Sequence, residues 1–148
     1  MPRKARERSA TGCYHIMGRG INHAAIYNDD ADNMNFLHIL DFCADEDFTI
    51  FAYCLMGNHF HLLAKADADV LQHVMKAVGI RYVAYFNRRY QRDGPLFRGR
   101  YNSQPVTTKG YFLRVLRYIH RNPVAAGIEQ EMQDLSLIHI SEPTRHLR

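Results

Sequence analysis

Two histidines separated by one large apolar residue, His59-Phe60-His61, lie between the turn dipeptide Gly57-Asn58 and the pair Leu62-Leu63. Side chains alternate along a strand, so His59 and His61 share one face and Phe60 takes the other. Two adjacent imidazoles on a rigid strand can hold a metal ion or handle protons. The same pattern also arises when one histidine is buried and the other exposed, with no chemistry attached. A second group of residues lies further along the chain. At about 100° per residue, Tyr111, Val115, Tyr118 and Asn122 share one helical stripe. Phe112, Leu116 and Ile119 flank it on the side expected to face the core, and Arg114, Arg117 and Arg121 flank it on the other. The tyrosines therefore border a core and a cationic surface. A nucleophile that must reach a backbone phosphate belongs on such a border, although a border tyrosine can also simply pack its ring and wet its hydroxyl. Together, a His-apolar-His strand, a helical tyrosine with Asn122 four residues on, and neighbouring arginines suit metal-assisted phosphoryl transfer to tyrosine. The metal withdraws charge from the phosphate, and the tyrosine attacks phosphorus and becomes covalently attached. The linkage stores the phosphodiester energy, so no nucleotide cofactor is needed.

The elements that must position these groups follow from periodicity and turn chemistry. Residues 13–20 read as a first strand ending in a glycine-rich turn. Asp29 to Asp32 supply helix-start residues, and the spacing of Met34, Phe36, Leu37, Ile39, Leu40 and Cys43 predicts a helix over about 31–45. Residues 48–56 and 59–65 form two strands joined at Gly57-Asn58, a hairpin. A long helix over about 68–91 carries one stripe from Leu71 to Phe86, and Asp93-Gly94-Pro95 breaks it. Residues 101–106 read as a short fourth strand. Thr107 or Thr108 can cap a third helix, which Pro123 is expected to end near Asn122. The order β-α-β-β-α-β-α predicts an α+β, ferredoxin-like split βαβ sandwich, an antiparallel sheet with helices on one face. The third helix, which carries the tyrosine, is appended to it. In that architecture the first and third strands are central neighbours, which can bring His15 close to the histidine pair.

Composition narrows the setting. The 148 residues suit one domain over 1–134, followed by a tail, 135–148, that fits nothing before it and to which no function is assigned. Apolar content of 47% and charged content of 23% are ordinary for a soluble globular chain, and no apolar run approaches a bilayer span. No apolar segment follows the basic N-terminus, which argues against a secretory signal. Cys13, Cys43 and Cys54 are widely spaced and odd in number, which points to small buried apolar roles in a reducing cytoplasm rather than to disulfides or a zinc site. A net charge of +4 hints at a polyanionic partner. Acidic residues crowd into 29–32 and 41–47, and basic residues into the N-terminal arm and 81–121. Arg88, Arg89, Arg92, Phe97, Arg98, Arg100 and Tyr101 mix cations with aromatics, as a single-strand surface does, where phosphates meet arginine and bases stack on rings.

Four blocks in order resemble the HUH single-tyrosine transposases, specifically the REP-associated tyrosine transposase branch. They are residues 55–63 around His59-Phe60-His61, residues 85–90 (Tyr-Phe-Asn-Arg-Arg-Tyr), residues 94–101 (Gly-Pro-Leu-Phe-Arg-Gly-Arg-Tyr) and residues 117–124 around Tyr118 and Asn122. The opening Tyr14-His15-Ile16-Met17-Gly18-Arg19-Gly20 is similar to that family's first strand, and the resemblance spans about residues 3–128. It implies that His59 and His61 ligate a divalent metal, Mg2+ or Mn2+, with Asn122 as third ligand. It implies that Tyr118 is the nucleophile forming a 5′-phosphotyrosine bond. The implied partner is single-stranded DNA, usually near a hairpin, with no membrane involved, and the implied assembly is a monomer or homodimer. Arg88, Arg89, Arg98, Arg100, Arg114, Arg117 and Arg121 are the expected DNA contacts, and His15 is a candidate partner of the histidine pair or a DNA contact. Tyr111 is the rival nucleophile. His120, about 160° around the helix from Tyr118, is expected at the surface or on DNA. The chain stops soon after Asn122-Pro123-Val124, short of the family's usual C-terminal continuation. Two other readings stand beside this one: a catalytically inactive, truncated hairpin-binding module, and a replication-initiator or relaxase nickase of the same chemistry.

Overall fold

The computed structural model describes the backbone of residues 5–125 and the side chains of residues 5–121. The side chain of Asn122, Arg3 and Lys4 of the N-terminal arm, and the tail 135–148 lie outside the described residues.

The elements run β1 (Cys13–Arg19), a short 3-10 turn (Ile21–His23), α1 (Asp30–Cys43), β2 (Thr49–Met56), β3 (His59–Lys65), α2 (Ala68–Tyr90), β4 (Asn102–Pro105) and α3 (Lys109–Ala125). The strands form one antiparallel sheet in the order β2-β3-β1-β4, the split βαβ arrangement with β1 and β3 at its centre. The start signals act as expected. Asp29 caps α1 by accepting the Asp32 N–H at 3.0 Å, and the Thr108 hydroxyl accepts the Tyr111 N–H at 3.1 Å at the start of α3. Pro123 does not end α3 at Asn122; the helix continues to Ala125. A proline removes one backbone donor, and a helix already several turns long and anchored by its apolar face can absorb that loss.

Alternation along the strands sorts the apolar residues into two cores. Tyr14 and Ile16 of β1 and Phe60, Leu62 and Ala64 of β3 join Phe36, Leu40, Val74, Val78 and Tyr82 of α1 and α2. Ala52, Cys54 and Leu63, on the other face, join Val115 and Ile119 of α3. The tyrosine helix is thus a third layer, on the sheet face opposite α1 and α2. β3 is consequently buried on both faces, which explains its unbroken run Phe60-His61-Leu62-Leu63-Ala64. A bulge between Ile50 and Ala52 turns Phe51 toward α3, where its ring meets Phe112 edge-on at 5.4 Å.

The acidic start of α1 serves structure. Asp32 is fully buried and accepts four hydrogen bonds: from the Asn28 N–H (2.9 Å), the Tyr85 hydroxyl (2.7 Å), the Tyr90 hydroxyl (2.6 Å) and Arg89 (2.6 Å). Burial alone would raise its pKa, but the donors around it hold the carboxyl below the ordinary value. Arg89 also pairs with Asp29 at 2.5 Å, which lowers the Asp29 carboxyl to about 2. These contacts lock α1 to the C-terminal end of α2. Cys13, Cys43 and Cys54 are all free; Cys54 is buried, its thiol pushed up to about 12 by burial, whereas Cys13 and Cys43 are half-buried.

Candidate active site

The antiparallel register sets side chains from several strands in rows on the face that α3 covers. Cys54, His61, Met17 and Asn102 form one row across β2, β3, β1 and β4. Met56, His59 and Arg19 form the next, and Ala52, Leu63, His15 and Gln104 the one on the other side. His15, His59, His61 and Arg19 therefore share one patch. The hairpin that presents it is gripped from outside: the Gly57 carbonyl accepts the Ile26 and Tyr27 N–H groups at 2.8 and 3.1 Å, and the Asn58 carbonyl accepts the Gly20 N–H at 2.9 Å.

The histidines differ in environment. His15 and His61 are buried and stacked, ring centroids 5.3 Å apart, with His15 Nε2 3.1 Å from His61 Nδ1. His59 is half-buried and meets His61 edge-on at 5.1 Å. Its Nδ1 lies 2.7 Å from Asn58 Oδ1, an acceptor, so Nδ1 carries the proton and Nε2 the lone pair. His61 Nε2 is buried without a hydrogen-bond partner among the described residues. A proton on His61 Nδ1, donated to His15, leaves a lone pair at Nε2 and avoids burying an unpaired N–H, which would cost about 1–3 kcal/mol. Burial, followed by the charges of His15, His59 and Arg19, pushes the His61 pKa down to about 3. Burial likewise lowers His15, and burial with Arg19 lowers His59. Two neutral imidazoles with Nε2 lone pairs available offer two of the donors that a divalent cation takes. Among the described residues no three His, Cys, Asp or Glu side chains are arranged to hold one metal ion, so a third protein ligand would have to be of another type or lie outside them.

Tyr118 stands over this patch. Its ring is 5.1 Å from His61 and 6.4 Å from His15, while the residue stays 47% exposed. Val115 and Ile119, buried in the second core, fix the helix rotation that puts it there. Tyr111 packs against that same core with Arg114 over its ring at 5.6 Å. Half-buried His120 has an Nε2 without a partner among the described residues.

The arginines divide. Arg114, Arg117 and Arg121 are exposed on α3, and Arg98 and Arg100 are exposed where the chain rounds the C-terminal end of β1. Arg88 is exposed on α2, in the layer on the other side of the sheet. Arg89 is occupied by Asp29 and Asp32. Arg19 and Asn58 were not singled out from sequence. Arg19 follows His15 and Met17 at strand period, and that alternation was the available signal; Asn58 had only its adjacency to His59.

The site is thus a split βαβ sheet whose paired-histidine strand faces a tyrosine helix laid across it. The profile described as "Transposase IS200 like" matches residues 9–122, and the chain belongs to that family of transposases. Among solved structures, the chain is similar to a REP-associated tyrosine transposase bound to a REP hairpin, at 18% identity and a TM-score of 0.60, over 86% of this chain and 76% of that one. It is also similar to a protein of Deinococcus radiodurans R1 described as a transposase, at 19% identity and a TM-score of 0.50, over 82% of this chain and 95% of that one. Both likenesses concern the fold. A search of curated proteins returned no match.

Proposed function

We propose that this transposase cuts and rejoins single-stranded DNA near hairpins through a covalent bond to Tyr118. The observation that carries the reading is the placement of an exposed helical tyrosine 5.1 Å from the ring of His61, on the face shared by His15, His59 and Arg19. The Tyr118 oxygen attacks phosphorus, the bond from phosphorus to the 3′ oxygen breaks, and a 5′-phosphotyrosine and a free 3′-hydroxyl result. Attack by a 3′-hydroxyl on the phosphotyrosine reverses the step and joins the new end, releasing the tyrosine. Arg19, Arg114, Arg117 and Arg121 supply positive charge along the strand's path.

His59 and His61 would hold a divalent cation through Nε2, and Asn122, four residues after Tyr118 in the sequence, would be the third ligand. Mg2+ or Mn2+ would supply charge withdrawal from the scissile phosphate. Asn58 and His15 keep the two imidazoles in the tautomer that leaves Nε2 available.

The test is cleavage of labelled hairpin-bearing single strands with Mn2+, read on denaturing gels. A metal-dependent covalent band is expected from the wild type, and none from Tyr118→Phe or His59→Ala. An adduct persisting in Tyr118→Phe would transfer the role to Tyr111. Reversible hairpin binding with no adduct would leave a catalytically inactive binding module.

A further inference from the structure

An aromatic-lined cavity lies on the sheet face away from Tyr118. It encloses about 400 Å³, within the range of small-molecule pockets. Its walls include Phe36, Phe60, Met75, Phe97 and Tyr101. Two glycines help keep it open. Gly18 faces the Phe60 ring, where a Cβ would collide, and Gly79 lines the cavity at a point where a Cβ would meet nothing within 4 Å. Lys76, Arg19, Arg98 and Arg100 also line it, and no acidic residue does. Phe36 and Phe60 are buried, so half-buried Phe97 and Tyr101 are the rings left to meet a base, with Arg6 lying over the Tyr101 ring at 3.8 Å, and the surrounding cations match the flanking phosphates, since rings stack on rings and arginine meets phosphate.

The cavity is also connected to the tyrosine face. A second groove, of about 350 Å³, is lined by Met17, Gly18, Arg19, Arg98, Arg100 and Asn102. Gly18, Arg19, Arg98 and Arg100 line both spaces. Met17 and Asn102 belong to the row that contains His61. The two grooves therefore pass around the C-terminal end of β1, from the histidine patch to the aromatic cavity. The segment walling them is held in place: the Arg98 N–H donates to the Arg19 carbonyl at 2.8 Å and the Ile21 N–H to the Leu96 carbonyl at 2.9 Å.

We propose that this cavity is a nucleobase pocket, and that single-stranded DNA bends around the end of β1 so that one unstacked base enters it while the backbone crosses the tyrosine face. The inference rests on the reading that the chain binds single-stranded DNA. The pocket reads stacking rather than base edges, so it tolerates different bases.

The test compares binding of a deoxythymidine homopolymer with an equally long abasic strand bearing the same phosphates. The wild type is expected to prefer the homopolymer roughly tenfold or more. Gly79→Leu, which fills the cavity from a helix position, should bring that ratio close to one while leaving the abasic strand's affinity unchanged. Gly79→Ala, which adds little volume, should keep the preference. A second measurement needs no variant: 5-iodouracil strands irradiated on the wild type should crosslink to Phe97 or Tyr101, mapped by mass spectrometry. Equal affinity for both strands, or crosslinks confined to the α3 face, would overturn the pocket while leaving DNA binding intact. Failure to bind either strand would remove the DNA-binding reading as well.

Discussion

Replacing Asp32 by asparagine changes one atom and opposes four donors to a group that can no longer accept them all. One carboxylate oxygen takes the Tyr85 hydroxyl and Arg89; the other takes the Asn28 N–H and the Tyr90 hydroxyl. An asparagine amide turns one of these oxygens into a donor; the tyrosine hydroxyl there can turn to accept from it, but the Arg89 or Asn28 N–H on the same oxygen loses its partner in a fully buried place. Removing one member of a buried charged pair costs roughly 3–5 kcal/mol, and a buried unsatisfied donor about 1–3 kcal/mol. Arg89 is 36% exposed and recovers water, which puts the expected loss near the lower end, about 3 kcal/mol. For a chain of this size that is a fall in Tm of roughly 6–12 °C. Urea unfolding and thermal melting measure it, with Asp30→Asn, at an exposed position, as a control expected within about 0.5 kcal/mol. Acid titration supplies a second reading. The folded Asp29 and Asp32 carboxyls lie below their ordinary value of 3.8, Asp29 at about 2. Their stabilisation is therefore whole above about pH 4 and is lost as pH falls toward 2. That acid loss should shrink in Asp32→Asn. A loss under about 1 kcal/mol, or an unchanged acid limb, would refute the view that this carboxylate ties α1 to α2.

Three further outcomes follow from the same geometry. Gly18→Ala places a Cβ against Phe60, 2.7 Å from its Cζ, and should destabilise the protein by about 1–3 kcal/mol in urea unfolding, with Phe60→Leu in the same chain recovering part of the loss. Asn58→Ala frees the His59 ring to change tautomer and should weaken Mn2+ binding by roughly 10–100-fold in calorimetric titration, with melting temperature little changed. In the metal-free protein, His61 titrates near 3 when folded against 6.5 when unfolded, so the unfolded chain takes up the proton first. Stability should be complete above pH 6.5 and decline as pH falls toward 3, and His61→Gln should flatten that slope in urea titrations at stepped pH.

Most of the secondary structure was legible because its signals are local. The hairpin bounds at His59 and Lys65, the Asp29 cap and the Thr108 cap each depend on residues within a turn of one another. The paired histidines on one face followed from strand alternation, and the closeness of His15 from the order of a split βαβ sheet. Less legible was which charges remain available. Arg88 and Arg89 are neighbours of the same type, yet Arg89 is held by Asp32 from 57 positions away while Arg88 is exposed. The extent of α3 past Pro123 also escaped the reading, because a local penalty was outweighed by a helix already anchored in the second core.

By itself the sequence determined the element types and their order, the face on which His59 and His61 stand, the stripe carrying Tyr118, and membership of a transposase family through blocks of motif. These depend on backbone periodicity and short-range turn chemistry, which any stretch of chain expresses without its partners. Only the tertiary structure decided that α3 closes the face opposite α1 and α2, so that Tyr118 meets His61 and His15. It also decided which imidazole nitrogens keep a free lone pair and where glycines leave an aromatic cavity beside β1. Those outcomes depend on burial and on contacts between residues tens of positions apart, and packing selects among side chains that the sequence presents as equals.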